Sequence, residues 1–286
     1  MTGFKVAGAR GVAMFATRRT GLALLLLALA VLCAPWRAAS AEAGYAGSET
    51  CLTCHEAEFG AWLDSHHGWA LREATAGNVL GLFDGASLEI SGVGARFYVE
   101  DGDYMAEIAD PGGEPESWRI LYTIGVAPLQ QYVVDTGGGH LQVLDLAWDT
   151  QAQRWFHLYP DNVPPPGDGF HWTGPYKSWQ ARCAVCHQTG FEKAYDPEAR
   201  TYESTWAELT VGCEACHGPA SEHVAWAQEA AGKGQVDGEE EGESHGSALS
   251  LATGLVDLSG AGQQAETCAP CHSRRSALIA DSSPPD

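Results

Sequence analysis

Basic side chains are scarce in this chain. Its 286 residues include 16 Lys and Arg but 37 Asp and Glu, which gives a formal net charge of −21. Proteins that bind nucleic acids or anionic membranes need clusters of Lys and Arg to meet the phosphates. The shortage therefore argues against nucleic acid as a partner. It favours solubility and the attraction of a partner protein that carries a basic docking patch.

Long hydrophobic runs are also lacking, apart from one near the start of the chain. That run, "GLALLLLALAVLCA" at 21–34, has about 14 residues, fewer than the ~20 that span a bilayer. It follows a basic leader and precedes small residues, which is the order of a secretory signal peptide. We therefore predict a signal at residues 1–41, cleaved near Ala41 or Ala43, and a periplasmic protein without a membrane span; an uncleaved anchor is the alternative. Export would remove five basic residues and leave a net charge of −26.

No cysteine of the predicted mature chain stands alone. Of nine cysteines, Cys33 lies in the predicted signal, and the other eight form four Cys-x-x-Cys pairs, each followed at once by histidine. These motifs read "CLTCH", "CAVCH", "CEACH" and "CAPCH". Their thiols are Cys51, Cys54, Cys183, Cys186, Cys213, Cys216, Cys268 and Cys271, and their histidines are His55, His187, His217 and His272.

The Cys-x-x-Cys-His pattern is the signature of covalent c-type haem attachment. Two thiols at this spacing can form thioethers to the two vinyl groups of one porphyrin, and the adjacent imidazole can reach the iron. Structural zinc sites, iron–sulfur clusters and disulfides all use cysteines, but none of them requires a histidine immediately after each pair. The sequence therefore predicts four haem c groups, with the motif histidines as proximal iron ligands.

Methionine is too rare to supply the opposite iron ligands. Only Met105 lies beyond the predicted signal, so methionine could serve at most one haem. Seven histidines lie outside the motifs, which is enough for bis-histidine ligation throughout, and such ligation implies low reduction potentials. These seven are His66, His67, His140, His157, His171, His223 and His245.

Spacing narrows the choice of distal ligand. In "HEAEFGAWLDSHHGWAL", a continuous helix would place His66 roughly 16 Å from His55, too far to reach the other face of the same iron. We therefore expect His66 or His67 to bind a different haem, and His223, close after His217, to do the same. His157 and His171 lie among aromatic residues, which suits buried ligands; a core histidine bonded to the backbone is the alternative.

The composition changes along the chain and predicts an α+β fold with short helices around the haems. We expect a first haem segment at 42–85, a β-rich insert at 86–165 and a second-to-fourth haem segment at 166–286, with an acidic loop at 228–250. The insert reads as an antiparallel meander packed on the haem core. Its predicted strands are two runs within Ala95–Ile108 around an Asp101-Gly102 turn, then Ser117–Thr123, Leu141–Ala147 and Arg154–Tyr159.

Five stretches together resemble the cytochrome c-554-like family of multihaem c-type cytochromes. They are "YAGSETCLTCHEAEFGAWLDSHHGWAL", "LYTIGVAPLQQYVV", "QRWFHLYPD", "HWTG" and "VGCEACHGPASEHVAWA", and the likeness runs from about Tyr45 to Arg275. The chain is most similar to exported members that carry tetratricopeptide repeats downstream. The resemblance implies haem c, bis-histidine ligation at most sites and periplasmic electron transfer. It also supports His66 or His67, His157, His171 and His223 as distal ligands.

Such relatives continue past the fourth motif with a further Cys-x-x-Cys-His and helical repeats, so we expect this chain to be a truncated or split version. Three functions remain open. The first is an electron carrier. The second is a multihaem oxidoreductase acting on a small nitrogen substrate at one open-faced haem. The third is a non-redox scaffold among other subunits or haem proteins. All four motifs end in histidine, which weakens the enzyme hypothesis, because reductases of that kind often have lysine at the catalytic haem.

Overall fold

The computed structural model describes residues 44–232 and 254–273. The predicted signal peptide, most of the predicted acidic loop and the segment after Ser273 lie outside the described residues. Within the described ranges, no helix is both long enough and apolar enough to cross a membrane. The described chain combines helices with an antiparallel sheet, so the predicted α+β class is confirmed.

The described helices are short, and half of them include residues of the haem motifs. In chain order they are α1 Ser48–Cys51, α2 Glu56–Leu63, the 3₁₀ turn Pro175–Lys177, α3 Trp179–Arg182, α4 Ala184–His187, α5 Glu214–His217, α6 Ser221–Gly232 and α7 Ala261–His272.

The strands fill the region between the first and second motifs. They are β1 Arg72–Glu73, β2 Ser87–Ile90, β3 Val93–Glu100, β4 Asp103–Ala109, β5 Glu116–Ile124, β6 Leu129–Asp135, β7 Leu141–Val143, β8 Leu146–Asp149 and β9 Arg154–His157. A separate two-stranded ribbon joins β10 Tyr195–Asp196 to β11 Thr201–Tyr202.

The main sheet is an antiparallel meander in the order β2-β3-β4-β5-β6-β8-β9, with β1 paired to β5 and β7 paired to β6. The predicted hairpin at 95–108 is confirmed. Asp101 and Gly102 form its two-residue loop and both have positive φ angles, 51° and 92°. Such a loop matches the twist of the flanking strands, which is why Asp-Gly favours a hairpin. Along β3, buried and partly exposed residues alternate, so one face of the hairpin packs inward.

Several element boundaries differ from the prediction. The strand expected at 141–147 is instead two strands, because the extended structure is interrupted between Val143 and Leu146. Strand β7 pairs with residues 133–135 of β6, whereas β8 pairs with residues 129–130. Strand β6 itself was not predicted. The expected helix through His66 ends at Leu63, where the Ser65 hydroxyl donates to the Trp62 carbonyl at 2.6 Å. The predicted loop at 228–250 begins inside a helix, since α6 continues to residue 232.

The core of the sheet is aromatic. The Phe97 and Trp155 rings stack with centroids 3.5 Å apart and planes 7° apart. Phe83 presents an edge to both of them and to the Tyr132 ring, at centroid distances of 5.6 Å. Offset and edge-to-face contacts of this kind add to the stabilisation from burial. The cluster gives the β-rich region a core made of protein side chains.

A second cluster attaches the sheet to the second haem motif. Leu71, Val133 and Leu141 pack with Trp179 and Ala184, and all five side chains are buried. Ala184 lies inside the "CAVCH" motif and has 0% of its surface exposed. Because a buried motif residue cannot move independently of the sheet, the second motif has a fixed position on it.

Candidate haem-binding site

Each described motif contains one helical turn. The His55 amide donates to the Cys51 carbonyl at 2.9 Å, and the amides of His187 and His217 make the same bond to the first cysteine of their motifs. Residues i, i+3 and i+4 of a helix share a face. Two thiols and one imidazole of a motif therefore lie on one side of the turn, the arrangement that attachment to one porphyrin edge requires.

The thiols of different motifs lie near one another. All eight are free, and none is in a disulfide. Burial and the neighbouring Cys213 thiol together raise the pKa of Cys51 to about 11. A hydrogen bond from Cys271 lowers the pKa of Cys186 to about 7, while the same contact raises that of Cys271. The first motif thus meets the third, and the second meets the fourth.

The thiols are not arranged as a metal cluster. Among residues 44–232 and 254–273, no three Cys, His, Asp or Glu side chains are grouped so that they could hold a metal ion. Structural zinc sites and iron–sulfur clusters use four protein ligands. Among the described residues, the structure does not bring four such ligands together.

Two imidazoles from remote segments face each other at the first motif. The ring centroids of His55 and His223 are 6.3 Å apart, with 29° between the ring planes. Two imidazoles on opposite sides of one metal ion, each with a metal–nitrogen bond of about 2 Å, have ring centres about 6 Å apart. Burial and then the charge of His55 lower the pKa of His223, which favours the neutral form that binds iron.

A second facing pair joins the first haem segment to the fourth motif. The ring centroids of His67 and His272 are 6.1 Å apart, and the ring planes make an angle of 68°. This separation again fits trans coordination of one metal. The Thr210 hydroxyl donates to the His67 carbonyl at 2.6 Å and holds the His67 backbone near the third motif.

His187 has the contacts of an oriented ligand. Its Nδ1 lies 3.2 Å from the Ala70 carbonyl, an acceptor, so Nδ1 carries the proton and Nε2 is left free. Metal-binding histidines are commonly fixed in this way by a hydrogen bond at the other nitrogen. The Trp179 and His187 rings meet edge-on, with centroids 5.6 Å apart. Burial lowers the pKa of His187.

Exposed apolar side chains within the motifs also fit haem. Leu52 of "CLTCH" is 42% exposed and Val185 of "CAVCH" is 53% exposed. Trp226, one turn beyond His223 on helix α6, is 46% exposed. Large apolar side chains beside metal-ligating residues provide the surface that a porphyrin covers. The thiols, the facing imidazoles and these apolar groups together fit haem c.

His157, the last residue of strand β9, and His171, which follows the β-rich region, lie apart from these imidazole pairs. His171 is 2% exposed; its Nδ1 accepts from the Thr173 amide at 3.3 Å, and its Nε2 lies 3.1 Å from Asp110 Oδ1. His157 Nδ1 accepts from the Tyr159 amide at 3.0 Å. Iron ligation by these two stays a prediction, and their contacts match the alternative of a hydrogen-bonded core histidine. His66 and His67 are both exposed, and of the two only His67 contacts a motif imidazole among the described residues.

Sequence reasoning missed two buried carboxylates. Asp145 is 2% exposed; its Oδ1 pairs with the Lys177 ammonium, and its Oδ2 has no hydrogen-bond partner. Glu214, between the two cysteines of the third motif, is 3% exposed. Its carboxylate accepts backbone hydrogen bonds from Ala46 and Gly47. An acidic residue inside a haem motif was the available signal for Glu214, whereas no pattern marked Asp145.

The comparisons with known proteins agree with the motifs over part of the chain. Residues 173–218 match the family described as cytochrome c554 and c-prime. This stretch includes the second and third motifs, so the cytochrome c554-like recognition is confirmed there. None of the curated proteins compared matches the chain.

One solved structure, titled "Crystal Structure of Outer Cell Wall Cytochrome OcwA", matches with 22% sequence identity and a TM-score of 0.42. The match covers 65% of this chain and 34% of OcwA, so the chain spans about a third of that protein's length. A TM-score at this level does not establish a common fold.

Proposed function

We propose that this protein is an exported, periplasmic tetrahaem c-type cytochrome that carries electrons through closely packed, mostly bis-histidine haems. Haem c, when bound, supplies reversible one-electron chemistry. The eight motif thiols would hold it as thioethers, and His55, His187, His217 and His272 would be its proximal ligands. The cytochrome c554 match over 173–218 supports this assignment for two of the four motifs.

The observation that carries the proposal is the pair of facing histidines at each of two motifs. The ring centroids of His223 and His55 are 6.3 Å apart and those of His67 and His272 are 6.1 Å apart, so each pair could hold one iron between its rings. In each pair, one imidazole comes from a motif and the other from a remote segment. Binding of one iron by residues from two segments would therefore hold those segments, and the haems attached to them, close together. Electron transfer from haem to haem requires this closeness.

The side chains around the ligands support a carrier. The Ala70 carbonyl fixes the His187 imidazole through Nδ1, which makes its Nε2 a stronger and better oriented ligand. Two imidazole ligands favour low potentials and fill both axial positions of an iron. The excess of acidic over basic residues in the chain supports a redox partner protein with a basic docking patch. Export agrees with the signal pattern at residues 1–41 and with the extracytoplasmic attachment of haem c.

The test is expression in a host able to attach haem, followed by intact mass and pyridine haemochrome measurements. We expect four haems per chain, and three in a variant with both Cys268→Ser and Cys271→Ser. EPR spectra should show only low-spin ferric haem. A chain without added haem mass would contradict the proposal, and a high-spin haem that binds nitrite or hydroxylamine would favour the oxidoreductase instead.

A further inference from the structure

The Glu214 carboxylate joins two segments that are remote in sequence. Its Oε1 accepts hydrogen bonds from the Ala46 amide at 2.8 Å and from the Ala220 amide at 2.7 Å, and its Oε2 accepts from the Gly47 amide at 2.7 Å. A carboxylate is seldom this deeply buried unless its charge is compensated. Here three N–H groups provide the compensation. We call this group of four residues the Glu214 clamp.

The backbone is shaped to receive the carboxylate. Gly47 has a φ of 82°, in the left-handed region that glycine adopts without strain. In this conformation the amides of Ala46 and Gly47 both reach the carboxylate. Concave runs of successive N–H groups are common anion sites in proteins. The N-terminal segment is therefore formed around the charge of Glu214.

The two clamped segments carry the facing imidazoles of the first motif. Ala46 and Gly47 lead into helix α1 and then to His55, while Ala220 immediately precedes helix α6, which carries His223. A second link runs parallel to the clamp. The Gly44 amide donates to the Ser221 hydroxyl at 2.8 Å, and the Ser221 amide donates to the Gly44 carbonyl at 3.0 Å.

We propose that Glu214 is a positioning residue for the axial pair His55 and His223, an inference that rests on the proposed function. The carboxylate accepts hydrogen bonds from backbone amides and from neither imidazole. It sets the distance between the two segments on which the ligands lie, and so keeps His223 opposite His55. Glu214 also belongs to the third motif, so the clamp fixes the first attachment site against the third.

A negative charge is needed for this role. In Glu214→Gln the side-chain volume is kept, but an amide NH₂ group replaces one of the two oxygens. That group is a donor and would face another backbone N–H, which leaves a buried donor unsatisfied. The segment around Gly47 should then move away, and the population with His223 detached should rise by about tenfold or more.

The experiment compares Glu214→Gln with Glu222→Gln in the holoprotein. Glu222 is the matched control, because it lies next to the clamp on helix α6 and is exposed. Carbon monoxide binding to the reduced protein reports a haem that has lost its distal ligand. We expect binding at one haem in Glu214→Gln, a high-spin ferric EPR signal, and restoration of the low-spin signal by added imidazole. The control should keep the wild-type spectra.

Two further variants keep the test decisive. His223→Ala should give the same spectra as Glu214→Gln, and the double variant should add nothing, because both changes remove the same ligand. If Glu214→Gln does not accumulate as holoprotein, Glu214→Asp keeps the charge but shortens the side chain by one carbon, so it meets the three amides less well and should give a weaker form of the same signal. Wild-type spectra in Glu214→Gln, or in Glu214→Asp when it stands in for it, would overturn the inference.

The inference and the proposed function fail in different ways. A wild-type chain that carries fewer than four haems would contradict both. Four low-spin haems in the wild type, together with equal carbon monoxide binding in Glu214→Gln and Glu222→Gln, would contradict only the role of the clamp.

Discussion

His67 and His272 face each other with ring centroids 6.1 Å apart, although they belong to the first haem segment and the fourth motif. The spacing of His67 from its own motif indicated only that it would bind a different haem, and did not identify this partner. In the proposed cytochrome, this contact favours His67 over its neighbour His66 as the distal ligand at the fourth motif.

Replacing His67 should therefore open one haem. We expect His67→Ala to bind carbon monoxide at about one haem per chain and to raise the potential of that haem, because an imidazole ligand is lost. His66→Ala is the matched control and should keep all haems low-spin. Redox titration with EPR detection measures both effects. The reverse result, with the His66 variant opening a haem, would contradict the pairing.

The buried Asp145–Lys177 pair should be costly to break. The side chains of Asp145 and Lys177 are 2% and 11% exposed. Burial raises the pKa of Asp145, although the nearby Lys177 ammonium acts to lower it. Burial acts to lower the pKa of Lys177, but the hydrogen bond to Asp145 outweighs this effect and raises it. Asp145→Asn leaves the buried Lys177 ammonium without a countercharge, although it still donates to the Tyr159 hydroxyl. The change should destabilise the fold by about 3–5 kcal/mol.

The matched control for that change is the exposed pair of Asp103 and Arg119, whose side chains are 48% and 57% exposed. Asp103→Asn should cost less than about 1 kcal/mol, because water screens the pair. Urea unfolding followed by far-UV circular dichroism measures both variants. Equal losses of stability in the two variants would show that burial does not strengthen the Asp145 contact.

His157 should make the fold sensitive to mild acid. Burial lowers the pKa of His157 below the ordinary value of 6.5. The charge of Asp145 acts to raise this pKa, whereas the charges of Lys177 and His171 lower it further. The unfolded chain therefore takes up a proton at a higher pH than the folded chain does. The stability that this difference provides is complete above pH 6.5 and is lost as the pH falls through the folded pKa.

We expect His157→Gln to lose less thermal stability than the wild type between neutral pH and pH 5. His140→Gln should behave like the wild type, because the His140 ring lies at the surface against the Arg200 carbonyl. Thermal midpoints at several pH values measure the difference. An unchanged acid sensitivity in His157→Gln would mean that this imidazole does not titrate freely, as an iron-bound histidine would not.

The aromatic core of the sheet should be the largest single source of stability in the β-rich region. Phe97 is 1% exposed and stacks on Trp155, so Phe97→Ala should cost about 3–5 kcal/mol through lost burial and a cavity. Val99 on the same strand is 49% exposed, and Val99→Ala should change the stability by less than about 1 kcal/mol. Chemical unfolding that ranks these two changes in the opposite order would contradict the assigned core.

Reduction of the holoprotein by a partner should depend on salt. The chain has 37 acidic and 16 basic residues, so a small basic electron donor should react quickly at low ionic strength and more slowly as salt is added. An acidic donor should show the opposite trend. Stopped-flow reduction at several salt concentrations separates the two cases. Rates that do not change with salt would exclude electrostatic docking.

The hairpin at 95–108 was predictable because Asp101 and Gly102 suit a two-residue turn and the flanking residues alternate. Strand β6 was missed because its buried run includes Gln130, a polar side chain that usually argues against burial. In the structure Gln130 accepts from the Leu80 amide and donates to the Asn78 and Gly125 carbonyls. Hydrogen bonds to Leu80 and Asn78, which are remote in sequence, help to offset the cost of burying the Gln130 amide. A local sequence pattern cannot reveal such hydrogen-bond partners.

The sequence alone determined the chemistry of attachment. Covalent haem needs two thiols and an imidazole at fixed local spacing, and four such motifs are visible without a fold. Only the tertiary structure decided which imidazole faces which motif. His223 meets His55, His67 meets His272, and Glu214 holds the first of these pairs together. The opposite side of a metal lies too far for the same short segment to reach, so its ligand comes from a part of the chain that folding alone brings near.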